Sequence, residues 1–278
     1  MGWGDYIMTT GIVRRLKNEN PNLQVLIKEP YNDTRQYKDI FYKNPYITSI
    51  DSLNNNQPYI KIPRVLAGIN NESNDRIIWK KERVAEVGDL YSKKEEEKFA
   101  EDSINAIFEH WKIKNKKLPR GLIFLSDTAK KNIILNNKIV KYEHYVNKEW
   151  GRNNWEEFIK ITSKDYILVK TSNSKDNTAE GLYSILCDFR TNYAIMKKCD
   201  FYIGNEGGLS HLWAITRKRA IVFFGHWIPP YVTGYPFHLN LTKNTNDHCG
   251  SLTKCKTCLN FFKNLEPEYI KFILEKNI

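Results

Sequence analysis

KKCDFYIGNEGGLSHLWAITRKRAIVFFG, running from Lys197 to Gly225, is the stretch that decides the fold. Asp200 to Ile203 is a short apolar, aromatic-rich run that stops at Gly204, as a buried parallel strand does when it meets a turn. Asn205 and Glu206 suit the start of a helix, and Gly207 and Gly208 leave the first amides of that helix uncovered. Ala220 to Phe224 is the next apolar run, closed by Gly225. Strand, glycine-rich turn, helix and strand make a parallel crossover whose helix begins at the carboxyl edge of the sheet. A bare helix start of that kind is a site for an anion, phosphate above all, though the same pattern also serves to pack a helix on a sheet.

The 278 residues suffice for two domains or one large one. Charged residues make up 27% and hydrophobic ones 41%, the balance of a soluble globular chain. No apolar run approaches the ~20 residues that span a bilayer, and no basic-then-apolar leader opens the chain, so the expected compartment is the cytoplasm. The net charge of +11 asks for an acidic partner: nucleic acid, an anionic membrane face or a phosphorylated substrate. Lysines spread along the whole chain argue against a nucleic-acid arm. Five cysteines, three of them within ten residues, suit a local cluster in a reducing compartment rather than a disulfide framework.

Upstream, Gly2-Trp3-Gly4-Asp5 leads into a helical pattern from Tyr6 to Asn18, and Leu23 to Ile27 reads as a strand. Only Met1 precedes this glycine turn, so the strand expected before it is missing, and a start further upstream is the favoured explanation. Ile7 stands where a dinucleotide fingerprint needs its third glycine. Residues 30–57 are polar and tyrosine-rich, with a strand-like Tyr46 to Ile50. Lys93 to Trp111 is a helix whose apolar stripe is Phe99, Ile104, Ile107, Phe108 and Trp111. Leu122 to Leu125 predicts a strand, Asp127 to Leu135 a short helix, and Ile139 to Val146 the first strand of a second domain, which sets the boundary at residue 135. Tyr166 to Val169 is a buried strand, followed by a polar loop over 170–177. Glu268 to Ile278 forms a closing helix. The loop from Gly225 to Pro236, rich in proline and aromatics, is expected to flank a cleft with His226. His248, Cys249, Cys255 and Cys258 offer three thiolates and an imidazole, enough for a tetrahedral zinc or iron ion, with reduced packing cysteines as the other reading.

The run Asn205-Glu206-Gly207-Gly208-Leu209-Ser210-His211, preceded by Cys199-Asp200, resembles the signature of family 9 glycosyltransferases, the heptosyltransferase-like enzymes of GT-B fold. The resemblance covers most of the chain and is sharp at residues 2–5, 148–155 and 199–235. It implies two Rossmann-like domains with parallel sheets facing a cleft, the acceptor side at 1–135 and the donor side at 136–278. It implies an inverting transferase without a catalytic metal, taking a sugar from a nucleotide-diphospho-sugar to a saccharide or glycolipid of the cell envelope. Asp5 then matches the catalytic base, with capping of the α-helix as its other reading. Lys148 matches a phosphate lysine, and the donor also meets Asn205, Glu206, Gly207, Gly208 and His211. Arg152 joins the phosphate clamp or faces solvent, and Arg190 resembles a position near the donor. Glu206 stands where heptosyltransferases typically have aspartate, and Gly207 where they often have a small hydroxyl residue, so ADP-heptose is the leading donor but sugar and base stay open. An anionic lipid-linked acceptor at the inner membrane would suit the basic charge. A sugar-nucleotide epimerase on the same fold and a non-catalytic nucleic-acid binder are the alternatives.

Overall fold

The computed structural model describes residues 3–28, 40–41, 43–63, 69–72, 76–79, 81, 83–126, 132–135, 138–141, 147–172, 179–243 and 248–278. Gly2, residues 127–131 and 142–146, and the polar loop over 173–177 lie outside these, so the expectations placed on them go no further.

Helix α1 (Trp3–Glu19) leads to strand β1 (Gln24–Lys28), which pairs in parallel with β2 (Tyr59–Pro63). Val13, Val25 and Ile62 form the small core between them. After the short antiparallel pair β3 (Ile69–Glu72) and β4 (Ile77–Trp79), the chain runs along α1 to helix α2 (Lys94–Asn115). Close approach sets this path: a β-carbon on Gly11 would lie 2.5 Å from the Val87 carbonyl oxygen, and one on Gly88 would lie 2.4 Å from that of Ile7. Only glycine lets two backbones meet so closely.

Strand β5 (Leu122–Ser126) follows, then the hairpin of β6 (Asn132–Leu135) and β7 (Lys138–Lys141), α3 (Arg152–Thr162), β8 (Ile167–Ser172), β9 (Leu182–Leu186) and α4 (Phe189–Lys198). The organising unit is β10 (Phe201–Asn205), α5 (Gly208–Ala214) and β11 (Ala220–Gly225), as its pattern predicts. The chain closes with α6 (Pro230–Thr233), β12 (Leu239–Thr242), α7 (Lys256–Lys263) and α8 (Pro267–Asn277).

Six strands form one all-parallel sheet in the order β12-β11-β10-β5-β8-β9. Continuous apolar strands are expected when helices cover both faces, and β5, β10 and β11 are buried along their length. Two core clusters lie on the two faces. Phe124, Tyr202, Val222 and Trp213 belong to one, and Ile123, Ile203, Phe223 and Trp155 to the other.

Two expectations are corrected here. Residues 132–141 form an antiparallel hairpin, not a helix followed by the first strand of a second sheet. That first strand is β5, which lies between β10 and β8 at the centre of the sheet. The six-stranded sheet thus takes in a strand from before residue 135, because β5 makes its ladder bonds with β10 and β8.

Candidate active site

The carboxyl edge of the large sheet, where β10 passes into α5, gathers the residues singled out in the sequence. Gly207 has φ of 157° with nothing within 4 Å of the place its β-carbon would take. Ser210 closes the turn: its hydroxyl accepts from the Gly207 N–H at 3.0 Å and donates to the Gly207 carbonyl at 2.8 Å. The amides of Gly208 and Leu209, in the first helical turn, have no partner within the helix.

Glu206 is 8% exposed and sits beside this turn. One carboxylate oxygen accepts a short hydrogen bond from the Lys148 ammonium, and the other lies 3.6 Å from Nε2 of His211. Burial works against the charge of Glu206, but Lys148 and the His211 hydrogen bond outweigh it and hold the carboxyl far below its usual range. The Lys148 nitrogen also lies 4.2 Å from the centroid of the Trp227 ring. Nδ1 of His211 and the Tyr235 hydroxyl are 2.8 Å apart. Trp227 and Tyr235 thus come from the aromatic loop expected at the cleft. Asn205, 6% exposed, finds no hydrogen-bond partner for either atom of its amide among the described residues. A buried amide left that way costs roughly 1–3 kcal/mol, which favours a polar ligand at this edge.

The amino end of α1 is pressed onto the same turn. A β-carbon on Gly4 would fall 2.5 Å from the His211 ring, and one on Gly208 would fall 3.1 Å from the Trp3 β-carbon. Trp3 in turn stacks on Phe189 at 3.9 Å between centroids. Asp5 follows in the first turn of a helix that starts at Trp3, so it is not the cap of a helix starting at Tyr6. Its carbonyl accepts the Thr9 hydroxyl at 2.8 Å. Gly208 is thus a packing glycine, closed over by Trp3 and Gly4.

Two sites assigned by resemblance are placed elsewhere. Arg190 is 4% exposed; its Nε donates to Glu96 at 2.9 Å and its guanidinium also donates to the Tyr91 carbonyl. It ties α4 to α2 rather than reaching for a phosphate. Arg152 is exposed at the start of α3 and pairs with Glu156 one helical turn on. No signal local to Arg190 marks its partners, whereas Glu156 follows Arg152 at the i,i+4 spacing of a helical ion pair.

The cysteines converge as their spacing suggests. Sγ atoms of Cys249 and Cys258 are 3.3 Å apart, and those of Cys249, Cys255 and Cys258 all lie within 4.8 Å of one another. Thiolates on one tetrahedral ion stand about 3.8 Å apart, given metal–sulfur bonds near 2.3 Å, so the three fit a metal. His248 is not among them: its Nε2 is 3.3 Å from the Thr242 hydroxyl and its ring stacks on His226. Asn147, which sequence reasoning passed over, builds this loop; its amide donates to the carbonyls of Ser251 and Thr253 and accepts from the Cys255 N–H at 2.8 Å. It adjoins Lys148, so one short segment serves both the thiol cluster and the glycine turn.

No protein-family model matches the chain, and no curated protein matches it in sequence. Solved structures do. The iron-containing dodecameric glycosyltransferase TibC from enterotoxigenic E. coli is 12% identical with a TM-score of 0.58, over 99% of this chain and 73% of that one. The glycosyl transferase family 9 protein from Veillonella parvula is 12% identical with a TM-score of 0.53, over 87% and 84%. For E. coli heptosyltransferase WaaC with ADP-2-deoxy-2-fluoro heptose the identity is 13% and the TM-score 0.39, over 58% of this chain; the chain spans only 44% of that protein's length. Identities this low speak to architecture alone, and the first two matches extend over 99% and 87% of this chain. The chain has the heptosyltransferase-like, GT-B fold of the family 9 glycosyltransferases.

Proposed function

We propose that this protein is an inverting glycosyltransferase that uses a nucleotide-diphospho-sugar donor. The observation that carries the reading is the buried Lys148–Glu206 pair at the foot of the glycine turn, with the amino end of α1 pressed against it. Lysine has three donors and Glu206 takes one, so the ammonium keeps N–H groups for a diphosphate seated over the amides of Gly208 and Leu209. Because α5 is only 7 residues long, the lysine charge carries more of the attraction than the helix dipole. Glu206, held ionised, and His211 offer acceptors and donors to sugar hydroxyls, and Asn205 offers an amide.

In the transfer, the acceptor oxygen bonds to the anomeric carbon as that carbon's bond to the diphosphate oxygen breaks, which inverts the centre. Asp5 takes the acceptor's proton, and the nucleoside diphosphate leaves with the electron pair, its charge met by Lys148. The heptosyltransferase-like fold and the ADP-heptose analogue named with WaaC make ADP-heptose the leading donor. The acceptor is proposed to be a saccharide or glycolipid, anionic in keeping with the net charge of +11 and met at a membrane face. No helix among the described residues is long and apolar enough to cross a membrane. We further assign Cys249, Cys255 and Cys258 to a structural metal, iron or zinc, given that TibC is described as iron-containing.

The test is a panel of nucleotide-diphospho-sugars read first by thermal stabilisation and then by mass spectrometry of products with envelope saccharides. One donor should raise the melting temperature and yield an acceptor heavier by one sugar. Stabilisation by none of them, with no transfer, overturns the reading.

A further inference from the structure

Helices α1 and α5 lie side by side and run the same way. Their amino ends meet at Gly4, Gly208 and His211. Their other ends meet too: Arg14 of α1, and Ile215 and Arg217 just past α5, line one open cavity of about 460 Å³. At ~1.5 Å per residue, Arg14 lies about 15 Å along α1 from Gly4. Arg217 lies three residues before β11, so this cavity is at the amino edge of the sheet, away from the glycine turn. Asp89, Tyr91, Tyr193 and Lys197 complete its polar lining.

Of its three cations, two are matched. Arg14 pairs with Asp89 and also donates to the Val87 carbonyl, and Lys197 pairs with Glu97. Arg217 is exposed and makes no side-chain hydrogen bond or ion pair among the described residues; its guanidinium lies 6.0 Å from the centroid of the Phe237 ring, and its left-handed φ of 60° ends the turn that closes α5, where its N–H donates to the Ala214 carbonyl. Asp89 gives one oxygen to Arg14, while its other oxygen is buried without a hydrogen-bond partner among the described residues. Burial raises the phenols of Tyr91 and Tyr193, the latter to about 12, so both stay neutral hydroxyl donors.

We propose that this cavity is a second ligand site, separate from the glycine turn, for a sugar bearing one phosphate or carboxylate group. Arg217 meets the anion as the unmatched cation, while Asp89 and the phenols of Tyr91 and Tyr193 meet neighbouring hydroxyls. The wall is shared by α1, the segment from Gly88 to Ser92, and α4, so an occupied site braces the contact between the two halves of the chain. The proposal stands independently of the donor reading.

Calorimetry on the full chain with glucose 6-phosphate and with glucuronate, against inorganic phosphate and glucose, tests it. Saturable binding of an anionic sugar, at least tenfold tighter than phosphate or glucose, is expected. Arg217→Gly is the diagnostic variant, since glycine adopts a φ of 60° freely and the protein should fold at least as well. It should lose at least tenfold in affinity, and Arg217→Lys should lose less. Equal binding of phosphate and anionic sugar, no binding of either, or undiminished binding in Arg217→Gly each overturns the assignment.

Discussion

Lys148 and Glu206 form an ion pair in which both side chains are nearly lost to solvent, 12% and 6% exposed, although 58 residues separate them in the chain. The loop before α3 is thereby fastened to the turn after β10, and the charge state of Glu206 becomes a property of the fold. The ordinary glutamate pKa is 4.5, and here it is lowered, because the Lys148 charge and the His211 hydrogen bond overcome the cost of burial. The unfolded chain then takes up the proton more readily than the folded one. The pair's contribution is complete above about pH 4.5 and is lost as the pH falls from there toward the folded value. Stability from urea denaturation should drop between pH 5 and 3, and Glu206→Gln should flatten that slope by up to about 1.4 kcal/mol per pH unit. Glu97 and Asp165 are lowered as well, so the slope will not vanish. Identical slopes in the two proteins would show that Glu206 is not held ionised.

The two glycines of the turn should separate packing from binding. A side chain on Gly208 meets the Trp3 β-carbon at 3.1 Å, and Trp3 is held by its stack on Phe189. Gly208→Ala should therefore cost about 1–3 kcal/mol of stability by overpacking. At Gly207 the space is open, so Gly207→Ala meets only the backbone strain of φ at 157° and should weaken donor binding more than it lowers stability. Denaturation and donor titration of both variants decide; the reverse order of effects would assign the ligand to the wrong glycine.

Arg190 makes a sharp contrast between resemblance and geometry. Removing one member of a buried ion pair costs about 3–5 kcal/mol, so Arg190→Met should strongly destabilise the protein. The double variant Arg190→Met with Glu96→Met should recover much of that loss, and its donor affinity should match that of the parent. A donor-binding defect in the refolded double variant would restore Arg190 to the donor site.

What could be read from the sequence follows what is local. Strands β8, β10 and β11 are buried apolar runs and announce themselves, and so does the turn from Asn205 to Gly208. β5 is just as visible as a strand, yet its place at the sheet centre depends on pairing with β8 and β10, which no period records. Strands β9 and β12 escape notice because they are edge strands with half-exposed residues such as Leu186 and Leu239. Arg190 misleads for the same reason, since Glu96 is 94 residues away. His248 adjoins Cys249 in sequence, but its ring turns to His226 and Thr242.

That difference between His248 and the cysteines yields a test of the metal. Elemental analysis of protein purified without chelator or affinity metal should find one iron or zinc per chain. Cys255→Ser should lose it and lower the melting temperature, because bound metal stabilises the folded state that holds it. His248→Ala should keep it. Metal-free parent protein, or metal lost equally in His248→Ala, would contradict the three-thiolate assignment.

Asp5 carries the chemical step of the proposed reaction. It lies in the first turn of α1, one residue beyond the Gly4 contact with His211. In the proposed reaction its carboxylate removes the acceptor's proton as the new bond forms, work that supplies typically ~10²–10⁴-fold in rate. Asp5→Asn keeps the size of the side chain and removes only its capacity to take a proton. Turnover should fall by about that factor, with the donor dissociation constant and the melting temperature close to those of the parent. Since a base must be deprotonated to act, the residual activity of Asp5→Asn should also lose the acid limb of the parent's pH profile. Near-normal turnover in the variant would remove Asp5 as the base. A matching fall in melting temperature would instead assign it to holding the start of α1.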